Sequence, residues 1–283
     1  MNNEQIAVIG AGTMGAGIAG QAALCGMHTV LFDIADTGLQ NGRAQIQSSY
    51  SKGLERGKLS QSDVDSAQSK LAITSNLDTA LRNATIVIEA VPENLSLKRS
   101  LFQQFESCVS ADTILASNTS SLSISAIANG LKNPDRVIGL HFFNPVAVMK
   151  LLEIVKGNQT NSQTISRSIQ FAQDMKKEHI IVKDSPGFAT SRLGIALGNE
   201  AMRMFQEGVA SAEDIDKAMS LGYRHPIGPL ALSDLVGLDV RLAITKHLHS
   251  ELGTDTFKPA RVLEELVAAG HLGRKTGQGF YSY

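Results

Sequence analysis

Ile6-Ala7-Val8-Ile9-Gly10-Ala11-Gly12-Thr13-Met14-Gly15 is an apolar run that opens directly into glycines spaced G-x-G-x-x-G, and Ala16 to Gly26 follows as a small-residue helix. A glycine triplet of this spacing gains meaning from a strand before it and a helix after it. Gly10 makes the tight turn, Gly12 lets the backbone approach a pyrophosphate, and Gly15 lets helix and strand pack closely. Thr13 and Met14 open the helix, whose N-terminus offers free N–H groups and a positive dipole end to the phosphates. Asp33 closes a second apolar run, Val30 to Phe32, 18 residues after Gly15. There a carboxylate accepts from both hydroxyls of an adenosine ribose and repels a 2′-phosphate, so the expected cofactor is NAD. Arg43 stands near enough in sequence that the choice against NADP calls for a measurement.

Further buried-strand runs lie at Ile86 to Ala90, Ile114 to Ser117, Val137 to Leu140, Leu151 to Val155 and Ile180 to Val182, with helical stretches between them. This alternation predicts an α/β, Rossmann-type, mostly parallel sheet with helices on both faces. After Asp184-Ser185-Pro186-Gly187 the pattern turns helical, at Phe188 to Gln206, Ala212 to Leu221, Leu232 to Leu252 and Ala260 to Ala269. Pro186 and Gly187 resist continuing a strand. The expected organisation is a nucleotide-binding domain over 1–184 and an all-α C-terminal domain over 185–283.

Composition narrows the function classes. At 283 residues, 43% hydrophobic, the chain can bury two real cores. A net charge of −1 from 26 basic and 27 acidic residues leaves no footprint for nucleic acid or an anionic membrane. Cys25 and Cys108 have neither metal-ligand nor redox spacing and read as packed thiols. No metal is implied. The polar lead Asn2-Asn3-Glu4-Gln5 runs straight into the first strand, leaving no room for a signal peptide, and no apolar run reaches membrane-spanning length. A cytoplasmic location is expected.

In an open parallel sheet, ligands sit beyond the carboxyl ends of the strands. Three polar clusters meet that condition: Glu89 to Asn94, Ser117 to Ser121, and His141 to Asn144. Oxidising a secondary alcohol needs a base for the hydroxyl proton while hydride leaves for the nicotinamide, and imidazole titrates in the right range. Of the seven histidines, His141 is the best placed, between a hydrophobic strand and two phenylalanines. A core histidine satisfied by one backbone bond is the competing reading. Glu153 lies inside Leu151-Leu152-Glu153-Ile154-Val155, where a buried carboxylate needs a partner. A protonated His141 would serve; an edge-strand Glu facing solvent is the alternative.

Taken together, Gly10 to Gly15, Glu89-Ala-Val-Pro-Glu93-Asn94, Ser117-Asn-Thr-Ser-Ser121, His141-Phe-Phe-Asn-Pro145 and Asp184-Ser-Pro-Gly-Phe188 resemble the L-3-hydroxyacyl-CoA dehydrogenase family. The likeness continues through Gly228-Pro229, Asp234 to Asp239, and the tail Leu272 to Tyr281. It implies a catalytic His141–Glu153 pair, Ser120 on the substrate oxygen, and Asn144 holding substrate and nicotinamide. It further implies Glu93 and Lys98 along the cofactor, Asn118 near the nicotinamide, and Ser49 and Arg56 on coenzyme A. Ser120 as a helix cap, Asn144 as a turn residue, and Arg56, Lys98 and Glu93 as solvated charges are the plain alternatives. Where many members carry Asn on the helix after Pro-Gly-Phe, this chain has Ser191, a shorter donor, which puts the substrate-carbonyl contact in question.

The implied reaction is reversible hydride transfer between NAD and the C3 hydroxyl of a short-chain acyl-CoA such as 3-hydroxybutyryl-CoA. Rival readings are a dehydrogenase of a free hydroxy or sugar acid, and a non-catalytic NAD-binding protein. The basic segment Lys52, Arg56, Lys58 favours the thioester. Apolar crowding at Leu193, Ile195, Ala196 and Leu197, and at Leu232, Leu235, Val236, Leu238 and Val240, points to a homodimer through the helical domain; an intrachain core accounts for the same pattern.

Overall fold

The computed structural model describes residues 4–283; residues 1–3, the start of the polar lead, lie outside the described residues. The described chain separates between Asp184 and Ser185 into two compact units. The first runs β1 (Gln5–Ile9), α1 (Thr13–Leu24), β2 (His28–Phe32), α2 (Asp36–Glu55), α3 (Gln61–Lys70), β3 (Leu71–Thr74), α4 (Leu77–Leu81) and β4 (Ile86–Glu89). It continues with α5 (Leu95–Cys108), β5 (Ile114–Ser117), α6 (Ile124–Ala128), β6 (Val137–Phe142), β7 (Leu151–Lys156), α7 (Ser162–Asp174) and β8 (Glu178–Lys183).

The strands form one eight-stranded sheet in the order β3-β2-β1-β4-β5-β6-β7-β8. Strand order reverses between β1 and β4, and the glycine turn after β1 opens at that reversal, where such sheets bind ligands. Ile6, Val8, Ile86, Ile88, Ile138, Leu140 and Phe142 face a core shared with Ile18, Ile46, Val64 and Phe171 from the helices on one side. Intervening residues point to the other face, as the pleat requires; there Ile124 of α6 stands over Gly139.

Every neighbouring pair is parallel except β6 and β7. A parallel crossover needs about a dozen or more residues, and the connection between these strands is too short for one, so the chain must turn back. The sequence runs did not include β3. It is a short edge strand, half-exposed along most of its length, and so lacks the continuous apolar stretch that marks a central strand. Cys108 corrects the packed-thiol expectation: it ends α5 exposed, while Cys25 is half-buried.

The second unit holds α8 (Thr190–Gln206), α9 (Ala212–Lys217), a wide turn at Ala218–Gly222, α10 (Pro229–Val236), α11 (Leu238–Leu252) and α12 (Arg261–Ala268). The stretch read as one helix from Leu232 to Leu252 is broken at Gly237, whose φ of 102° no interior helix residue adopts. Met202, Ile215, Leu230, Leu238 and Leu263 form its main core. Two buried aspartates fasten the tail: Asp234 accepts from the N–H groups of Phe280 and Tyr281 and from the Tyr283 hydroxyl, and Asp216 accepts from the Tyr281 hydroxyl.

Candidate active site

At the nucleotide end the backbone leaves no room for larger residues at Gly10 and Gly15. Gly10 has a φ of 105°, and a Cβ on Gly15 would stand 1.7 Å from the Gly10 carbonyl oxygen. A Cβ on Gly12 would meet nothing within 4 Å, so the space before the helix is open. α1 has no side-chain cap and no acidic residue in its first turn, so its leading N–H groups are available to an anion. The Asp33 carboxylate follows β2 directly and is held by two backbone donors, Ala11 N–H at 2.8 Å and Ala35 N–H at 3.0 Å. An uncapped helix start, an open Gly12 and an anchored carboxylate fit a dinucleotide.

The register of β6 against β7 places His141 directly opposite Glu153. Opposed residues of an antiparallel pair project from the same face with Cβ atoms about 5 Å apart, so the two side chains meet without help from a loop. Nδ1 of His141 lies 2.6 Å from Oε2 of Glu153, with the carboxylate fully buried and the imidazole nearly so. The buried carboxylate accepts from Nδ1–H, so the neutral ring carries its lone pair on Nε2. Phe143 flanks the ring at 4.5 Å between centroids. Glu153 therefore does not face solvent, and His141 is bonded to a carboxylate.

A second buried network lies at the ends of β4 and β5. Glu89, fully buried at the end of β4, accepts from Lys98 Nζ at 2.7 Å, Ser117 Oγ at 2.6 Å and Val91 N–H at 2.7 Å. Lys98 is 1% exposed, and its other acceptors are Glu93 Oε2 at 3.2 Å and the Val91 carbonyl at 3.3 Å. Lys98 is thus no surface charge, and its ammonium is engaged by Glu89 and Glu93 at the strand ends. Glu93 Oε1 gathers the loop after β5, accepting from Thr119 Oγ1, Ser121 Oγ and the N–H groups of Ser120 and Ser121. Burial alone would raise the Glu93 carboxyl, but the Lys98 charge and these donors hold it below the usual carboxylate range. The arrangement fixes where Ser120 sits. Ser120 is not the cap of the next helix, which is Ser123.

Glu89, Ser117 and Thr119 were not singled out one by one in the sequence. The available signal was a Glu ending an apolar strand with a Lys nine residues on, across a helix start. Asn94, from the same cluster, caps α5 through the Leu97 N–H, orienting the helix that carries Lys98. Asn118 accepts from the Phe142 N–H at 2.9 Å, tying the end of β5 to the strand that carries His141. Asn144 is exposed, followed by a cis bond to Pro145. Ser49 is exposed on α2 and Arg56 exposed just past its end, while Lys58 follows the Gly57 turn rather than continuing the helix. Ser191 is half-buried on the first turn of α8.

No group of three or more metal-binding side chains occurs among the described residues, and no described helix is long and apolar enough to cross a membrane.

Comparison with known proteins agrees with this geometry. Residues 5–185 match the NAD binding domain of 3-hydroxyacyl-CoA dehydrogenase, and residues 187–283 match its C-terminal domain. The chain is 42% identical to a probable 3-hydroxybutyryl-CoA dehydrogenase of Bacillus subtilis, over 100% of this chain and 98% of the relative. It is 41% identical to the 3-hydroxybutyryl-CoA dehydrogenase of Clostridioides difficile, over 99% of each. Among solved structures, (S)-3-hydroxybutyryl-CoA dehydrogenase from Ralstonia eutropha superposes with a TM-score of 0.95 at 42% identity, covering 100% of this chain and 99% of that one. The chain is an oxidoreductase of the 3-hydroxyacyl-CoA dehydrogenase family, and its residues 5–185 are the family's NAD binding domain.

Proposed function

We propose that this protein is an NAD-dependent (S)-3-hydroxyacyl-CoA dehydrogenase acting on short acyl chains such as 3-hydroxybutyryl-CoA. The observation that carries the reading is the 2.6 Å bond between His141 and Glu153. The glycine turn at Gly10 to Gly15 and Asp33 would hold NAD, which would supply the acceptor for the hydride at C3 of the thioester. His141 accepts the 3-hydroxyl proton at Nε2, because Glu153 engages Nδ1, and gives it back when a 3-oxoacyl-CoA is reduced. Glu153 fixes the tautomer and stabilises the imidazolium. Ser120, held by Glu93, donates to the substrate oxygen, and Asn144, Asn118 and Ser191 contact substrate or nicotinamide. Lys52, Arg56 and Lys58 are exposed and, with Ser49, suit the phosphates of coenzyme A.

NADH oxidation by the purified protein with acetoacetyl-CoA, beside free acetoacetate and beside NADPH, tests the reading. Turnover confined to the thioester with NADH is the expected result. Activity on the free acid alone would move the function to hydroxy-acid oxidation.

The protein works as a homodimer in this reading. Ile195 and Leu238 are used in the chain's own core, but Leu193, Leu221, Tyr223, Leu235, Val236 and Val240 of the second unit stay between 42% and 78% exposed, apolar side chains that a second copy would cover. Light scattering is expected to give twice the 30.2 kDa chain mass; a monomer mass at micromolar concentration would refute it. Two free thiols suit a reducing compartment, and the cytoplasm is the proposed location.

A further inference from the structure

The connection between β6 and β7 carries Asn144 and turns its outer side to solvent, with Ala147, Val148, Met149 and Lys150 exposed. Two features hold its inner side. Val146 is buried against α1, where Gly17 makes room for it: a Cβ on Gly17 would stand 2.9 Å from Val146 Cγ2. The other is Lys177, which is 7% exposed. The connection folds into a single turn, the Val148 and Met149 N–H groups both donating to the Pro145 carbonyl, and so short a turn cannot satisfy its own later carbonyls. The Lys177 ammonium donates to two of them, that of Val146 and that of Met149, the second at 2.8 Å.

Lys177 is itself fixed on both sides. At the end of α7, Lys176 takes a left-handed φ of 56° and donates its N–H to the Gln173 carbonyl, while the Lys177 N–H donates to the Ala172 carbonyl. These are the two bonds of a Schellman cap. On the other side, the Glu178 N–H donates to the Lys150 carbonyl and opens β8. The Lys177 ammonium enters none of the ion pairs of the described residues. Burial pulls it below the ordinary lysine range, with the Cys25 thiol acting the other way. An apolar chain of equal length would be less costly to bury, but it could not hold two carbonyl groups of the turn.

We propose that Lys177 is a positioning residue: by clasping the turn at 145–149 it fixes where Asn144 stands, and through Asn144 it sets the rate of the hydride transfer. This rests on the dehydrogenase reading above, in which Asn144 contacts substrate or nicotinamide, and it adds no step to that chemistry. Asn144 lies two residues before the clasped carbonyl of Val146, so a turn that drifts carries the carboxamide with it.

The test is NADH oxidation with acetoacetyl-CoA by single and double variants whose fold is checked by circular dichroism. Lys177→Met is expected to lower kcat by about 10- to 100-fold, the effect of a misplacement on the order of 1 Å. Lys177→Arg, which keeps a long cation, is expected to restore most of the rate. A cycle with Asn144→Ala separates positioning from a merely structural role. Residues that act as a unit are non-additive, so once Asn144 is alanine the Lys177→Met change is expected to lower kcat by less than about threefold. A loss as large in that background as in the wild type overturns the proposal. So does a folded Lys177→Met that keeps the wild-type rate, a Lys177→Arg as slow as Lys177→Met, or an Asn144→Ala with kcat unchanged. Should Lys177→Met fail to fold, Lys177→Gln, whose amide can donate to one carbonyl, takes its place in the cycle and the same outcomes are read. In all of these the wild type turns over acetoacetyl-CoA; a wild type that does not overturns the dehydrogenase reading and this proposal together.

Discussion

Replacing His141 with Gln is expected to lower kcat by about 10²–10⁴-fold, the usual contribution of a positioned general base, while NADH still binds. Glutamine is close in size and its amide can donate to Glu153, so the buried carboxylate keeps a hydrogen-bond partner; what disappears is the nitrogen that takes the hydroxyl proton. Because the base acts in the transition state, kcat and kcat/KM should fall together. Steady-state kinetics with acetoacetyl-CoA, beside NADH fluorescence titration and circular dichroism, checks this. A folded variant that keeps more than about a tenth of the wild-type rate would remove His141 from the chemistry.

Lys98→Met should cost stability rather than proton transfer. Methionine matches the length of the lysine stem but leaves Glu89, which is fully buried, without its cation. Removing one partner of a buried pair costs about 3–5 kcal/mol, against about 0–1 kcal/mol for an exposed one. Urea denaturation separates the two values, and a loss below about 1 kcal/mol would mean that the network is not the buried pair described. The acid limb should change as well. Glu93 is held below its ordinary value of 4.5, so its ionised form adds stability that is fully present above that value and is lost as pH falls through the depressed one. With Lys98 gone, this loss on acidification should be shallower. Binding of NADH by the variant, measured at a temperature where it is folded, reports how far the loop with Ser120 has moved.

The nucleotide half was legible because its signals are local: the glycines, the apolar runs and Asp33 are read within a few residues of each other. The boundary between the two kinds of structure was also local, since the short apolar runs stop and helical spacing begins near Pro186. β3 escaped because an edge strand need not be apolar on both faces. The break at Gly237 escaped because Leu232 to Leu252 keeps helical spacing on both sides of a residue whose positive φ is set by the turn there. Among the site residues, His141 and Glu153 were each legible as costly groups in apolar runs, but their pairing depends on the reversal between β6 and β7. The short connection carried that information. The mutual pairing of Lys98, Glu93 and Glu89 was not legible, because burial of a lysine is decided by what the strand ends bring beneath it, and Glu89 does that across nine residues.

The reversal between β6 and β7 has a consequence for how this segment can vary through time. Glu153 meets His141 because the ladder equates these two positions, and Leu152 and Ile154 on either side point into the opposite core. A slip of one residue would turn the glutamate into that core and put an aliphatic chain against the imidazole. Natural selection on residues 143–150 would then act less on which amino acids stand there, several of them exposed, than on how many there are. Substitutions at Ala147, Val148 or Met149 leave the count intact, whereas a deletion that shifted the ladder by one would dissolve the pair without touching either member.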